Sequence, residues 1–271
     1  MLNILSNRTY RHLFMAQVIA LIGTGLATVA LGLLAYDLAG DRAGAVLGTA
    51  LAIKMSAYIL VAPVAAAFAD KFPRRTMLVT LDLVRALVAI ALPFVTQIWE
   101  IYILIFFLQS ASAAFTPTFQ ATIPDILPDE REYTRALSLS RLAYDLESVI
   151  SPMLAAALLT VMSFHNLFAG TAVGFLASAA LVVSVSLPKM KALTVKRSVY
   201  DKTTRGMRIF LKTPRLRGLL ALNMAVAAAS AMVIVNTVVL VQADFGLSQR
   251  STAIALAFFG VGSMVSALVL P

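Results

Sequence analysis

The chain has 271 residues, of which 60% are hydrophobic and 13% charged, with a mean hydropathy of +0.89. Soluble domains carry roughly 45–50% apolar and about 25% charged residues, so a water-soluble globular class is excluded and lipid is the expected solvent. With no cysteine and only His12 and His165 as histidines, disulfides and thiolate metal centres are excluded. No HExxH, glycine-rich phosphate loop or Cys/His cluster is present, so neither an enzyme nor a cofactor or bound metal is expected.

A helix needs roughly 20 apolar residues to cross a hydrocarbon core of about 30 Å. The first expected span is Leu13 to Tyr36, too long for the roughly 7–15 residues of a signal-peptide core and therefore retained. The second, Ala43 to Ala69, contains Lys54, and the third, Thr76 to Trp99, contains Asp82 and Arg85. The fourth is Ile101 to Ile123. The uncharged stretch Ser148 to Leu187 is long enough for two crossings, with Ser163-Phe164-His165-Asn166 as the hairpin between them. A polar segment from Pro188 to Arg217 follows, then Gly218 to Ala243 and Ser251 to Pro271. The expectation is an all-α integral membrane fold with eight spans. It divides into a six-span bundle over 1–187, a basic cytoplasmic linker over 188–217, and two spans over 218–271.

The net charge of +9 suggests orientation before it suggests nucleic acid. Seventeen basic residues fall on one set of alternating connections: Arg8 and Arg11, Lys71 with Arg74 and Arg75, Arg131 with Arg135, and ten between Lys189 and Arg217. Only Arg42 and Arg250 fall on the other set. The positive-inside rule then places the N-terminus in the cytoplasm and the protein in the inner membrane. In the linker, Val199, Met207, Phe210 and Leu211 share a helical face opposite Lys202, Arg205, Arg208 and Lys212. That pattern suits a helix lying on anionic headgroups, or equally a solvated basic loop.

A shift of 206 residues places Arg11 on Arg217, Leu13 on Leu219, Gln17 on Asn223 and Thr24 on Ser230, the kind of repeat from which secondary transporters are built. On that offset the sequence is expected to stop before its second bundle is complete.

Charged residues inside spans are costly and mark sites. Asp82 and Arg85, three apart, and Arg141 and Asp145, four apart, can each pair on one helix face, and both pairs could be purely structural. Glu147 points about 200° away from Asp145 and so lacks a partner on its own helix. It is a candidate for taking up and releasing protons, with Asp145 beside it; the alternative is neutralisation by Lys54 from another span. Gln17, Thr24 and Thr28, and Gln109, Ser112 and Thr116, form polar stripes that suit either a substrate path or close helix packing.

Three motifs carry a resemblance. The segment Ala66-Ala67-Phe68-Ala69-Asp70-Lys71-Phe72-Pro73-Arg74-Arg75 resembles the loop between spans two and three of the major facilitator superfamily, with Ala66 and Pro73 in place of that loop's glycines. Ala114-Phe115-Thr116-Pro117 through Gln120-Ala121-Thr122-Ile123-Pro124-Asp125 is similar to the macrolide and siderophore exporter branch. Ile150-Ser151-Pro152-Met153-Leu154-Ala155-Ala156 is similar to the fifth-span antiporter motif. The resemblance implies a twelve-span fold of which this chain covers about two-thirds, with a complete N-terminal six-helix bundle and the first two helices of its partner. It implies a conformational latch at Asp70, Lys71, Arg74 and Arg75. It further implies proton-coupled export of a small molecule, the partners being that substrate, protons and membrane lipid. A divalent metal exporter, and a non-transporting fragment or half-size subunit, are the alternatives.

Overall fold

The computed structural model describes residues 2–68, 72–188, 204 and 208–269. Asp70 and Lys71 of the loop motif lie outside the described residues, as do Val199, Lys202, Arg205 and Met207 of the linker.

All eight long elements among the described residues are α-helices. After a short 3-10 turn, α1 (Arg8–Ala39) starts where the Asn7 side chain accepts a hydrogen bond from the Tyr10 N–H at 3.1 Å. It stops at Gly40, whose φ of 53° suits a residue without Cβ and whose N–H returns to the Tyr36 carbonyl. The second helix, α2, is Ala43–Phe68 and α3 is Arg74–Ala91, entered through Pro73. The third expected span ran on to Trp99, but the helix ends earlier. Pro93 sits in a 3-10 turn over Leu92–Phe94, and the Glu100 carboxylate accepts from the N–H groups of Thr96 and Gln97 at 2.8 and 2.9 Å, starting a new helix. Trp99 therefore belongs to α4 (Ile98–Ile126).

Asp129 caps α5 (Glu130–Leu158) by accepting from the N–H groups of Arg131 and Glu132 at 2.9 and 3.0 Å. This helix begins well before the uncharged stretch Ser148 to Leu187, and Arg141, Asp145 and Glu147, expected within a span, all lie inside it. Then come α6 (His165–Val183), α7 (Pro214–Val239), which closes in a π turn over Leu240–Asp244, and α8 (Gln249–Val269). Among the described residues, five stretches are long and apolar enough to cross a membrane, the first of them holding both α1 and α2. The charged α5 is not one of the five.

In the packing, α1 lies against α2, α5 and α6, while α3 lies against α4 and α6, and α2 against α4. From the other end of the chain, α7 packs on α2 and α8 on α5. Two apolar clusters hold the first six helices together at opposite ends. One gathers Leu33, Leu34, Leu92, Ile101 and Phe168, and the other Leu13, Leu78, Phe119, Ile123 and Val182. At the α1–α6 crossing the backbones touch: a Cβ on Gly23 would stand 3.2 Å from the Thr171 carbonyl oxygen, and one on Gly174 3.3 Å from that of Ile19. Thr171 donates to the Gly23 carbonyl at 2.9 Å across the same crossing, the close approach that small residues give membrane helices.

Candidate transport site

Between the two apolar clusters lies a buried ion pair. Asp82 is fully buried and Arg85 4% exposed, and the guanidinium donates to Asp82 Oδ1 three residues back on α3. Ser178 of α6 donates to Asp82 Oδ2 at 2.7 Å. The guanidinium carbon sits 4.2 Å from the centre of the Phe115 ring and 4.5 Å from that of Phe175. A cation buried this deeply requires a counter-charge and benefits from two ring faces. The spacing indicated the pair. Ser178 and the rings come from other helices and carried no signal beside it.

At the end of the bundle where α3 begins, Arg74 Nε donates to Asp125 Oδ2 at 2.9 Å, and Arg75 donates to the carbonyl of Val183 in the last turn of α6. A cation on the free carbonyls of a helix C-terminus is favourably placed. Two of the three motifs therefore meet physically, through Arg74 of one and Asp125 of the other.

Glu147 lies elsewhere. A cavity of about 190 Å³ is lined by Gly25, Thr28 and Val29 of α1, Lys54 of α2, Glu147, Ser148 and Pro152 of α5, Ile234 of α7, and Leu256 and Phe259 of α8. Glu147 and Lys54 interact electrostatically in this cavity. The carboxylate without a partner on its own helix thus has a counter-charge on α2. Glu147 also reaches the end of a second, apolar cleft of about 270 Å³ between α1 and α5, lined by residues such as Phe14, Val18, Ile22 and Leu146. Tyr58, one turn beyond Lys54, interacts with Glu147, Arg85 and Tyr144, so the cavity and the buried ion pair are electrostatic neighbours.

The carboxyl is set tightly against α1. A Cβ on Gly25 would fall 2.4 Å from Glu147 Oε1 and 2.2 Å from Ser151 Oγ. Only glycine leaves that space; Ser151 belongs to the segment that resembles the antiporter motif, whereas no local pattern singles out Gly25. Asp145 takes another face of α5, paired with Arg141 at 3.4 Å, but the two side chains are 43% and 79% exposed. The pair forms as its spacing suggests, but it is not buried: this face of α5 is not covered by the described helices.

The polar stripes separate. Gln17 is buried and accepts from Ser140 at 3.0 Å, joining α1 to α5. Thr24 and Thr28 donate to carbonyls one turn back at 2.9 and 3.0 Å, and of the three only Thr28 lines the Lys54–Glu147 cavity. Gln109 and Ser112 are buried, with Gln109 Oε1 and Ser112 Oγ lacking protein partners. Thr116 lies 3.3 Å from the Tyr144 hydroxyl.

Among curated proteins, the chain is 24% identical over 217 residues to the uncharacterized MFS-type transporter YfiS of Bacillus subtilis, covering 78% of this chain and 51% of that protein. It is 24% identical over 154 residues to macrolide efflux protein A of Enterococcus faecalis, covering 53% of this chain and 47% of the relative. The chain thus spans about half the length of the curated relatives it matches. Among solved structures, a bacterial homologue of the human lysosomal transporter Spinster, inward-facing and unoccupied, superposes with a TM-score of 0.74 at 14% identity, over 96% of this chain and 61% of that one. A D-xylose–proton symporter superposes with a TM-score of 0.58 at 12% identity, over 98% and 67%. At these identities the likeness establishes the fold. The sequence model of the Major Facilitator Superfamily matches residues 13–271, and this multi-pass membrane protein belongs to that superfamily.

Proposed function

We propose that the protein serves proton-coupled export of a small molecule by alternating access, with Glu147 as the group that exchanges protons. The observation that carries this is the cavity in which Glu147 faces Lys54, walled by α1, α2 and α5 on one side and α7 and α8 on the other. An ionised carboxylate attracts the ammonium across the cavity, and a protonated one does not. Proton uptake therefore changes the free energy of holding α5 near α2 at the place where helices from the two ends of the chain meet. A transporter of this family alternates by moving one helix bundle against the other around such a site.

The proposed arrangement places residues 1–187 in one bundle, 188–217 in a cytoplasmic linker and 218–271 in the first helices of a second bundle, with the N-terminus in the cytoplasm and the protein in the plasma membrane. Arg74 and Arg75, with Asp70 and Lys71, form the latch at the cytoplasmic end. The substrate class is an amphiphilic small molecule of the macrolide kind, by likeness to the efflux relatives. The cavity wall supports this chemistry, since Val29, Ile234, Leu256 and Phe259 are apolar and Glu147 is an anion for a basic amine.

The test is transport of a radiolabelled macrolide in everted membrane vesicles energised by a pH gradient. Glu147→Gln is expected to abolish gradient-driven transport while the protein still inserts in normal amount. Transport by that variant with the wild-type pH dependence would overturn the assignment of Glu147.

A further inference from the structure

Ser151 Oγ is fully buried and has no hydrogen-bond partner. It belongs to the same turn of α5 as Glu147, four residues on, and both side chains crowd the point that a Cβ on Gly25 would occupy, at 2.2 and 2.4 Å. A buried hydroxyl without a partner is costly, and a carboxyl oxygen of Glu147 is set against the same point on α1. Lys54, on the opposite wall of the cavity, competes for that same carboxyl only while it is charged.

We propose that Gly25 and Ser151 form the seat that the Glu147 carboxyl occupies when it carries a proton, and that Lys54 is its partner when it does not. The neutral acid has one O–H to place, and Ser151 Oγ is a buried acceptor beside it whose own hydrogen is free to turn to a helix carbonyl. Gly25 contributes space: without its bare backbone the carboxyl could not lie against α1. The inference rests on the assignment of Glu147 as the proton-exchanging group. The titratable and charged groups facing Glu147 are Lys54 and Tyr58, both from α2. The cavity wall from α1, α7 and α8 supplies Gly25, Thr28, Val29, Ile234, Leu256 and Phe259, none of which titrates. On α5 itself Asp145 is committed to Arg141.

Gly25 and Ser151 are positioning residues, so the test reads the carboxyl directly and does not depend on transport. Infrared difference spectra of the purified protein, titrated with pH, show the carbonyl stretch of any carboxyl that gains a proton, and the band lost in Glu147→Gln is that of Glu147. In Ser151→Ala this band is expected to move to higher frequency, as a donated hydrogen bond is removed, and its midpoint to fall by ~0.5–1 pH unit. Gly25→Ala is expected to lower the midpoint further by displacing the carboxyl towards Lys54. Should Gly25→Ala fail to accumulate, Ser151→Ala alone decides, because it removes one oxygen and leaves the helix contact. A Glu147 band that Ser151→Ala leaves unmoved would overturn the seat while leaving Glu147 as the exchanging group. A spectrum with no band removed by Glu147→Gln would overturn both.

Discussion

Two ion pairs on this chain have almost the same spacing and opposite surroundings. Asp82 and Arg85 are closed in by Ser178, Phe115 and Phe175, whereas Arg141 and Asp145 stand in the open. Removing one member of a buried pair strands the other charge in low dielectric and costs roughly 3–5 kcal/mol. Asp82→Asn is therefore expected to lower the thermal unfolding temperature in detergent sharply. Asp145→Asn is expected to cost less, because no described helix covers its pair. Equal losses from the two substitutions would show that the burial assigned to one of them is wrong. The residue pattern made both pairs legible, since spacings of three and four fix a common helix face. It could not tell which face meets other helices. The same limit left open whether Lys54 is the neutralising partner of Glu147 that its place in another span offered, because their approach depends on how α2 and α5 pack.

At the level of the helices, contact is made where side chains are missing. A Cβ on Gly260 of α8 would lie 2.4 Å from the backbone carbonyl oxygen of Ser148 on α5, so α5 and α8 meet backbone to backbone. Gly218, near the start of α7, has nothing within 4 Å of its Cβ position. Gly260→Val is expected to destabilise the protein by ~1–3 kcal/mol through overpacking, while Gly218→Ala changes stability by a few tenths at most or improves it through helix propensity. Thermal unfolding of the two variants side by side checks this, and the idea fails if Gly260→Val is silent. Helix existence was readable from apolar runs, but ends were not always so. The third span was carried through to Trp99 because its apolar run continues there. The break is made by Pro93 and by the cap that Glu100 provides, and hydropathy is blind to both. Likewise the start of α5 is set by the Asp129 cap, well before the uncharged stretch begins.

For the molecule as a whole, membrane class and superfamily were legible from composition and the three motifs, and the match over residues 13–271 bears them out. The assembly of a cavity from five helices was not, because Gly25, Lys54, Glu147, Ile234 and Leu256 are scattered along the chain and share no local pattern. Orientation is tested by labelling. The chain has no cysteine, so single cysteines can be added without background. An impermeant thiol reagent applied outside cells should modify Asp41→Cys and Asn166→Cys but not Thr76→Cys or Glu130→Cys, and the reverse pattern would invert the proposed topology. The contacts of α5 also limit how the site can move. This helix is pinned on one flank, where Ser151 meets the bare backbone of Gly25, and on another, where its own backbone meets Gly260. Spinning it about its axis would drive a side chain into a neighbouring main chain, so twist is blocked and tilt remains. On the proposed role of Glu147, the gap between its carboxyl and the ammonium of Lys54 would then change through the inclination of α5 more readily than through its rotation, as the end of a lever moves with its angle.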